Sequence, residues 1–403
     1  MNEGLQIMLV CSGILAWALV SKRLQTSLLT LPMLFAAFGY LLGNAGLDLL
    51  DMRIDSGVLH FIAEITLVLV LFTDAASVRL RQLKHDFMIP VRMLLLGMPL
   101  TILFGSLFAQ WVNPQAPWVA AVLVAAILTP TDAALAQAFI SSRSVPAKLR
   151  EAINVESGLN DGLAVPVIML SAILAAQATG TSFHGAPDNL AQFIALQLFF
   201  GPVVGIGVGY VLARLLDRGI TAGFVSETGR GIAVLAGALM CYSLAEQVGG
   251  NGFIAAFLGG LTLGNTLKAD KDFIVEFMES EGQVLTMLTF IIFGAVLMPI
   301  GLAHADWKTA VLAVAFLSIV RMLPIWISLL GSGIALSHKL ALGWFGPRGL
   351  ASILFALLIE EQFNIPGFEE ALACVVLTVS LSIVLHGVSA TPLSRWFKQA
   401  KAN

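Results

Sequence analysis

The sequence predicts an all-α polytopic membrane protein, and three observations support that class. The chain of 403 residues is 58% hydrophobic and 12% charged, whereas a soluble domain usually carries about 25% charged residues. Its mean hydropathy is +0.90. Its apolar runs approach the roughly 20 residues of a spanning helix and are too long for the roughly 10 residues of a barrel strand. We therefore expect one transmembrane domain over residues 1–403, solvated mainly by lipid.

Charge and cysteine content exclude several other classes of protein. The net charge of -3 is too small to indicate a nucleic-acid partner. Cys11, Cys241 and Cys374 are widely spaced within apolar runs, which indicates neither a disulfide framework nor a metal cluster. The first basic residues follow the first apolar run, so a cleavable signal peptide is not expected. We expect no cofactor and no enzymatic activity.

Thirteen apolar segments are predicted to span the bilayer, and the basic residues orient them. With the N-terminus outside, the inner loops and ends collect 18 of the 22 Lys and Arg residues. Only Arg53 and Lys308 lie outside, so the positive-inside rule predicts an external N-terminus and a cytoplasmic C-terminus in the cell (inner) membrane. The predicted segments are 5–21, 28–47, 57–77, 87–110, 117–140, 151–178, 190–213, 230–248, 250–267, 281–301, 308–331, 339–360 and 370–394.

Two of these segments contain helix breakers near their middles. Segment 5 contains Thr-Pro-Thr-Asp at 129–132, and segment 12 contains Gly-Pro-Arg-Gly at 346–349. Pro130, and Gly346 with Pro347, therefore predict broken helices. With segment 7 as a linker, segments 5 and 12 are the fifth members of two halves of opposite orientation. Interrupted segments at matching places of inverted repeats indicate a transporter's binding site.

Each predicted break carries a charge that suits the dipoles of half-helices. The N-terminus of a helix favours a negative charge and the C-terminus a positive one. We therefore expect Asp132 to offset the positive ends in segment 5. Arg348 is expected to offset the negative ends in segment 12.

Segment 6 places two acidic residues within the membrane, where charges are costly and mark ion pathways. At about 1.5 Å per residue from Arg150, Glu156 lies roughly 9 Å deep and Asp161 roughly 16 Å deep, near the midplane. Positions four apart share a helix face. Asp161 therefore shares a face with Ser157, and Glu156 shares the adjoining face with Asn160.

The residue types around Asp161 suit an alkali cation. Its carboxylate, the Ser157 hydroxyl and carbonyl groups freed at Thr131 are hard oxygen ligands, which suit zinc or copper poorly. Burial favours the protonated form of a carboxyl group, so Asp161 is expected to bind either a proton or a cation. Such competition couples opposite fluxes if the site faces one side at a time. Glu156 is expected to pair with Arg348 and join segments 6 and 12.

The other polar residues in the spans have less specific interpretations. Arg321 is expected either to cap carbonyl groups or a helix end, or to take part in transport. Glu64 and Glu246 are interpreted as interfacial or dimer-contact residues, and Asp74 as a solvated charge at a helix end. His386 is interpreted as a packed, neutral histidine.

These motifs resemble the monovalent cation/proton antiporter-1 family, which includes NhaP-type sodium/proton antiporters of bacteria and archaea and the sodium/proton exchangers of animals. The resemblance rests on residues 129–132, 156–162 and 346–349 and extends over essentially the whole chain. It implies the sodium/proton antiporter fold, with thirteen helices of which spans 5 and 12 are broken and cross.

The resemblance also implies a homodimer that works by elevator-like alternating access. It implies an ion-transport core at about residues 86–178 and 306–397, and a dimerisation part at about 1–85 and 190–305.

By the same resemblance, Asp161 carries the cation and the proton, and Asp132, Ser157 and the Thr131 region complete the site. Asn160 lies where related electrogenic antiporters have a second aspartate. This implies electroneutral exchange of one cation for one proton, with Na⁺ as the first candidate.

Several alternatives stay open on the sequence alone. Li⁺ and K⁺ are candidates as well as Na⁺, so a K⁺/H⁺ exchanger is one alternative, and a sodium-coupled symporter on the same fold is another. A passive channel is a third. An intramembrane aspartyl protease with Asp132 and Asp161 as its dyad is disfavoured, because these residues follow Thr131 and Asn160 rather than the Tyr-Asp and Gly-x-Gly-Asp of such enzymes.

Overall fold

The computed structural model describes residues 3–24, 29–50, 57–80, 88–181, 189–269 and 272–400. Within these ranges the regular structure is helical and contains no strand. Some basic residues used to predict the orientation lie outside the described residues, namely Arg53, Arg81, Lys84, Lys271 and Lys401.

The helices of the first part of the chain follow one another with short connections. A π turn at Met93–Gly97 joins the fourth and fifth helices into one span, Met88–Val112. These helices are α1 (Glu3–Leu24), α2 (Leu31–Leu42), α3 (Gly57–Ser77), α4 (Met88–Arg92), α5 (Met98–Val112), α6 (Trp118–Ile127), α7 (Gln137–Ile140), α8 (Ala147–Ala178) and α9 (Leu190–Thr221).

The second part of the chain is likewise helical. A π turn at Phe293–Leu297 joins α12 to α13, and a distorted residue, Ser318, separates α14 from α15. The helices are α10 (Glu227–Gln247), α11 (Gly252–Thr266), α12 (Asp272–Ile292), α13 (Met298–Ala303), α14 (Trp307–Leu317), α15 (Ile319–Ser328), α16 (Leu336–Trp344), α17 (Leu350–Phe363) and α18 (Phe368–Ala400).

Each of the thirteen predicted segments coincides with one helix or with a consecutive set of helices. Eight helices among the described residues are long and apolar enough to cross a membrane, and Leu31–Leu42, Trp118–Ile127 and Gly252–Thr266 are shorter apolar helices. The multi-span architecture is therefore confirmed, while the number of thirteen crossings stays a prediction.

Both predicted breaks are present. The first helix of segment 5 ends at Ile127, and the chain continues without helix until a 3₁₀ turn at Ala133–Ala136. Segment 12 is interrupted between Trp344 and Leu350. A proline lies within each interruption, and proline lacks the backbone donor that a continuous helix needs.

Packing brings the two broken segments together. α6 contacts both α17 and α18, and α8 packs along α6. A second set of contacts joins α11 to α3, α9 and α10, and α8 touches this set through α3 and α11. The predicted division into a moving core and a dimerisation part stays a prediction.

Candidate functional site

The two helix breaks contact each other directly. The backbone N–H of Asp132 donates to the carbonyl of Pro347 over 2.8 Å. The Ser352 hydroxyl donates to the carbonyl of Ile127, the last residue of α6, over 2.7 Å. Backbone groups that each break leaves unpaired thus find partners in the other broken segment, as groups at membrane depth must.

Asp132 binds the N-terminal ends of two different helices. Its Oδ1 accepts from the N–H of Ala134 over 2.9 Å, in its own segment. Its Oδ2 accepts from the N–H of Leu350 over 3.0 Å, at the start of α17. A Cβ atom at position 349 would overlap this carboxylate, so Gly349 permits the approach. Asp132 offsets positive helix ends in segment 5, as predicted, and also in segment 12.

Arg348 binds carbonyl groups at the C-terminal end of a helix. Its fully buried guanidinium donates through Nη1 to the carbonyls of Thr129 over 2.7 Å and Pro130 over 3.2 Å. These carbonyls follow the C-terminus of α6, so the expectation that Arg348 serves its own segment is wrong. The reason is the contact between the breaks, which places the free carbonyls of segment 5 within its reach.

Glu156 pairs with Arg321, and the predicted pair with Arg348 is wrong. Nη2 of Arg321 lies 2.7 Å from Oε2 of Glu156, and each side chain is 1% exposed. A Cβ atom at position 346 would overlap the Arg321 guanidinium, so Gly346 makes room for it. The ion pair therefore links α15 to α8 beside the break of segment 12, whereas the Arg348 guanidinium is directed towards the other break.

A hydrogen-bonded group on α18 supports the break of segment 12, a role that the sequence analysis did not assign to His386 or to Ser382. The N–H of Arg348 donates to the Ser382 hydroxyl over 2.7 Å. Ser382 Oγ lies 3.2 Å from Nδ1 of His386, whose Nε2 donates to the carbonyl of Trp344 over 2.8 Å. His386 is buried as predicted, but it connects both sides of the break. The one sequence signal was its isolation in an apolar span.

Ser157, Thr131 and Asn160 form a hydrogen-bonded cluster beside the break of segment 5. The Ser157 hydroxyl donates to the carbonyl of Thr131 over 2.6 Å and accepts from the N–H of Ala133 over 2.9 Å. The amide Nδ2 of Asn160 donates to the Thr131 hydroxyl over 2.6 Å. These bonds attach α8 to the unwound backbone, so the predicted site residues of segments 5 and 6 are in contact.

Two buried oxygen atoms on α8 lack a hydrogen-bond partner. Among the described residues, no donor reaches Oδ1 of Asp161 or Oδ1 of Asn160, and these residues are 5% and 1% exposed. Buried polar atoms are normally paired. A buried acceptor without a donor suits a bound proton on the Asp161 carboxyl group or a cation beside it.

Three other carboxyl groups lie near enough to Asp161 to repel its negative charge. Asp74, Asp132 and Glu156 all act on its charge. Asp74 lies in α3, and its backbone carbonyl oxygen would be 3.2 Å from a Cβ atom at position 158, so α3 packs on α8 beside the site. The cluster is locally acidic apart from the two arginines, and this favours a positively charged ligand.

Comparison with known proteins identifies the relatives of this chain. A protein named K(+)/H(+) antiporter NhaP2 from Shewanella oneidensis is 27% identical over 386 residues, which are 94% of this chain and 64% of that protein. The Na(+)/H(+) antiporter NhaG of Bacillus atrophaeus is 26% identical over 412 residues, with 97% and 74% covered. The chain thus spans less than two thirds of the length of the Shewanella relative.

A solved structure of another protein shares the fold of this chain. The sodium proton antiporter MjNhaP1 from Methanocaldococcus jannaschii superposes with a TM-score of 0.78 at 20% identity and covers 98% of each chain. The family described as sodium/hydrogen exchanger, transmembrane, matches residues 8–396. The chain also has two broken segments in contact, with an acidic site beside them. Because the family match covers nearly the whole chain, the protein belongs to the transmembrane sodium/hydrogen exchanger family.

Proposed function

We propose that the protein is a secondary active antiporter that exchanges a monovalent alkali cation for a proton at Asp161. The observation that carries this proposal is the unpartnered Oδ1 of the buried Asp161 carboxyl group. Asn160 offers a second unpartnered oxygen on the same turn of α8. The residues that position these oxygens are Ser157 and Thr131, which fasten α8 to the break.

The arrangement supports competition between the two ions. A proton on Asp161 removes the charge that attracts the cation, and a bound cation disfavours the proton. The hydroxyl of Ser157 and the backbone of Thr131 are already bonded to each other. A cation that recruits them as ligands therefore has to rearrange this bond, whereas the Asp161 and Asn160 oxygens require no such change.

Names of the relatives support cation/proton exchange and divide on the cation. The relatives from Shewanella oneidensis and Alkalimonas amylolytica are named K⁺/H⁺ antiporters, and that from Bacillus atrophaeus is named a Na⁺/H⁺ antiporter. We therefore place Na⁺ and K⁺ side by side as candidate substrates, and a sodium-coupled symporter becomes an outcome to be tested.

Stoichiometry and assembly belong to the same proposal. Asn160 supplies an amide where a second carboxylate would add another titratable charge, which supports electroneutral exchange of one cation for one proton. A homodimer in the cell (inner) membrane, an external N-terminus and elevator-like movement of residues 86–178 and 306–397 complete the proposal. The proposal assigns a transport activity and no enzymatic one.

Reconstitution in liposomes tests the exchange. A pH gradient is imposed, and Na⁺, Li⁺, K⁺ or Ca²⁺ is added in turn to the wild type and to Asp161→Asn. We expect an alkali cation to dissipate the gradient only in the wild type, at a rate that does not change with membrane potential. Glu227→Gln, which removes an exposed charge at the start of α10, is the matched control and should retain exchange. Undiminished exchange in Asp161→Asn would overturn the assignment.

A further inference from the structure

A cavity of about 340 Å³ opens between α8 and α17 on one side and α3, α9, α10 and α11 on the other. Glu64, Glu246 and Glu361 contribute carboxyl groups to its lining. Glu64 accepts a hydrogen bond from Tyr242, and Glu246 accepts one from the N–H of Gly252 over 2.8 Å. Glu64 and Glu246, interpreted from sequence as interfacial or dimer-contact residues, therefore face a cavity between helices.

The cavity lies towards the side that the charge distribution predicts to be external. On α8 its lining begins at Met169, eight residues beyond Asp161, which corresponds to roughly 12 Å along the helix. On α11 the cavity is lined by Phe253. Phe257 lies four residues further along α11, one turn deeper, and is 3% exposed.

An aromatic ring from α11 packs on α8 beside the acidic site. A Cβ atom at position 162 would overlap the ring of Phe257, so the ring lies directly on the backbone of Gly162. Gly162 is the residue that follows Asp161 in α8. Between Gly162 and the cavity, the inward-facing residues of α8 are Ala164, Val165 and Ile168, which are fully buried, whereas Leu163 is 41% exposed on the outer face of the helix. The layer is therefore apolar, and the Phe257 ring contributes to it from α11.

We propose that Phe257 seated on Gly162 forms an outer seal that separates Asp161 from the acidic cavity, and that exchange requires this contact to open and re-form. The proposal rests on the proposed antiport function. Glycine at position 162 is required because any side chain there would occupy the place of the ring. A residue of α11 thus controls access from the cavity to a carboxyl group on α8.

Cysteine labelling tests the seal without any measurement of transport. Asp161→Cys is placed in a variant whose three native cysteines are alanine, and an impermeant thiol reagent is added on the cavity side of membrane vesicles. We expect Phe257→Ala to raise the labelling rate about tenfold or more. The variant lacks the ring that closes the path to position 161, so the open form becomes more populated. Phe253→Ala, the same change one turn nearer the cavity, should leave the rate near that of the parent.

A second reporter keeps the labelling result interpretable. Met169→Cys lines the cavity and should be labelled at the same rate with or without Phe257→Ala, which shows that the protein is folded. If Phe257→Ala does not fold, Phe257→Leu should give a smaller rise in the same direction. Equal labelling of Asp161→Cys in Phe257→Ala, Phe253→Ala and the parent would overturn the seal.

Gly162→Ala provides an independent arm. Its methyl group collides with the ring, so this variant should show raised labelling at position 161. Adding Phe257→Leu, which removes part of the ring, should lower the labelling towards that of Phe257→Leu alone. If the wild type shows no cation exchange but Phe257→Ala raises the labelling of Asp161→Cys, the antiport function is wrong and the seal is supported. If the wild type exchanges cations but Phe257→Ala leaves this labelling unchanged, the seal alone is wrong.

Discussion

Replacing Arg321 by methionine should leave the Glu156 carboxylate in the protein interior without its cation. The two charged groups approach to 2.7 Å and are each 1% exposed, so water cannot replace the lost partner. At an effective dielectric constant of about 20, a charge pair at this distance attracts by roughly 6 kcal/mol. Because desolvation opposes this attraction, removal of one member of a buried pair typically costs about 3–5 kcal/mol. We expect Arg321→Met to lower the free energy of unfolding by that amount.

Equilibrium unfolding in detergent micelles measures this loss, and a double-mutant cycle assigns it. Glu156→Gln combined with Arg321→Met removes both charges and should recover more than half of the stability lost in Arg321→Met alone. The matched cycle uses Glu156→Gln with Arg348→Met. It should show the smaller coupling, because Arg348 donates to backbone carbonyls. Stronger coupling of Glu156 to Arg348 than to Arg321 would refute the pairing.

Three further perturbations have expected outcomes. Gly209→Ala should lower the stability in micelles by about 1–3 kcal/mol, because its Cβ atom would overlap the backbone of α11, whereas Gly207→Ala, two residues away in open space, should not. Asp132→Asn should cost about 1–3 kcal/mol in the same assay, since an NH2 group would replace one of the two carboxylate oxygens, each of which accepts a different N–H; an unchanged unfolding curve would argue against the double cap. His386→Ala should lower the free energy of unfolding by a comparable amount, because the Trp344 carbonyl loses its donor; an unchanged free energy of unfolding would contradict this role.

The positions of the helices and of both breaks were predictable because they depend on local properties. Apolar length fixes where a helix has to run in lipid, and Pro130 and Pro347 fix where it has to stop. The contact of Ser157 with the Thr131 region was also within reach, because the sequence assigned both to one site, whereas the cation site at Asp161 stays a prediction. The structure places Ser157 and Asn160 in contact with Thr131, as these patterns indicate.

The choice of ion partner was not predictable, because it depends on how the helices cross. Arg321 and Arg348 are both buried arginines, and depth alone does not distinguish them. The guanidinium of Arg321 reaches Glu156 past Gly346, which only the arrangement of α15 against the break reveals. The role of His386 was hidden for the same reason, as its partners on the Trp344 side lie 42 residues away in the chain.

The double cap made by Asp132 and the reach of Arg348 to the opposite break have a consequence for exchanging parts between relatives. Each half of the molecule supplies the counter-charge for a helix end that belongs to the other half. In a chimera that takes α6 and its break from a relative, the imported carbonyls have to fit the arginine of the host protein. The imported aspartate likewise has to cap a helix of the host protein. The smallest unit that can be transplanted is consequently the pair of breaks together, even though about 200 residues of sequence separate them.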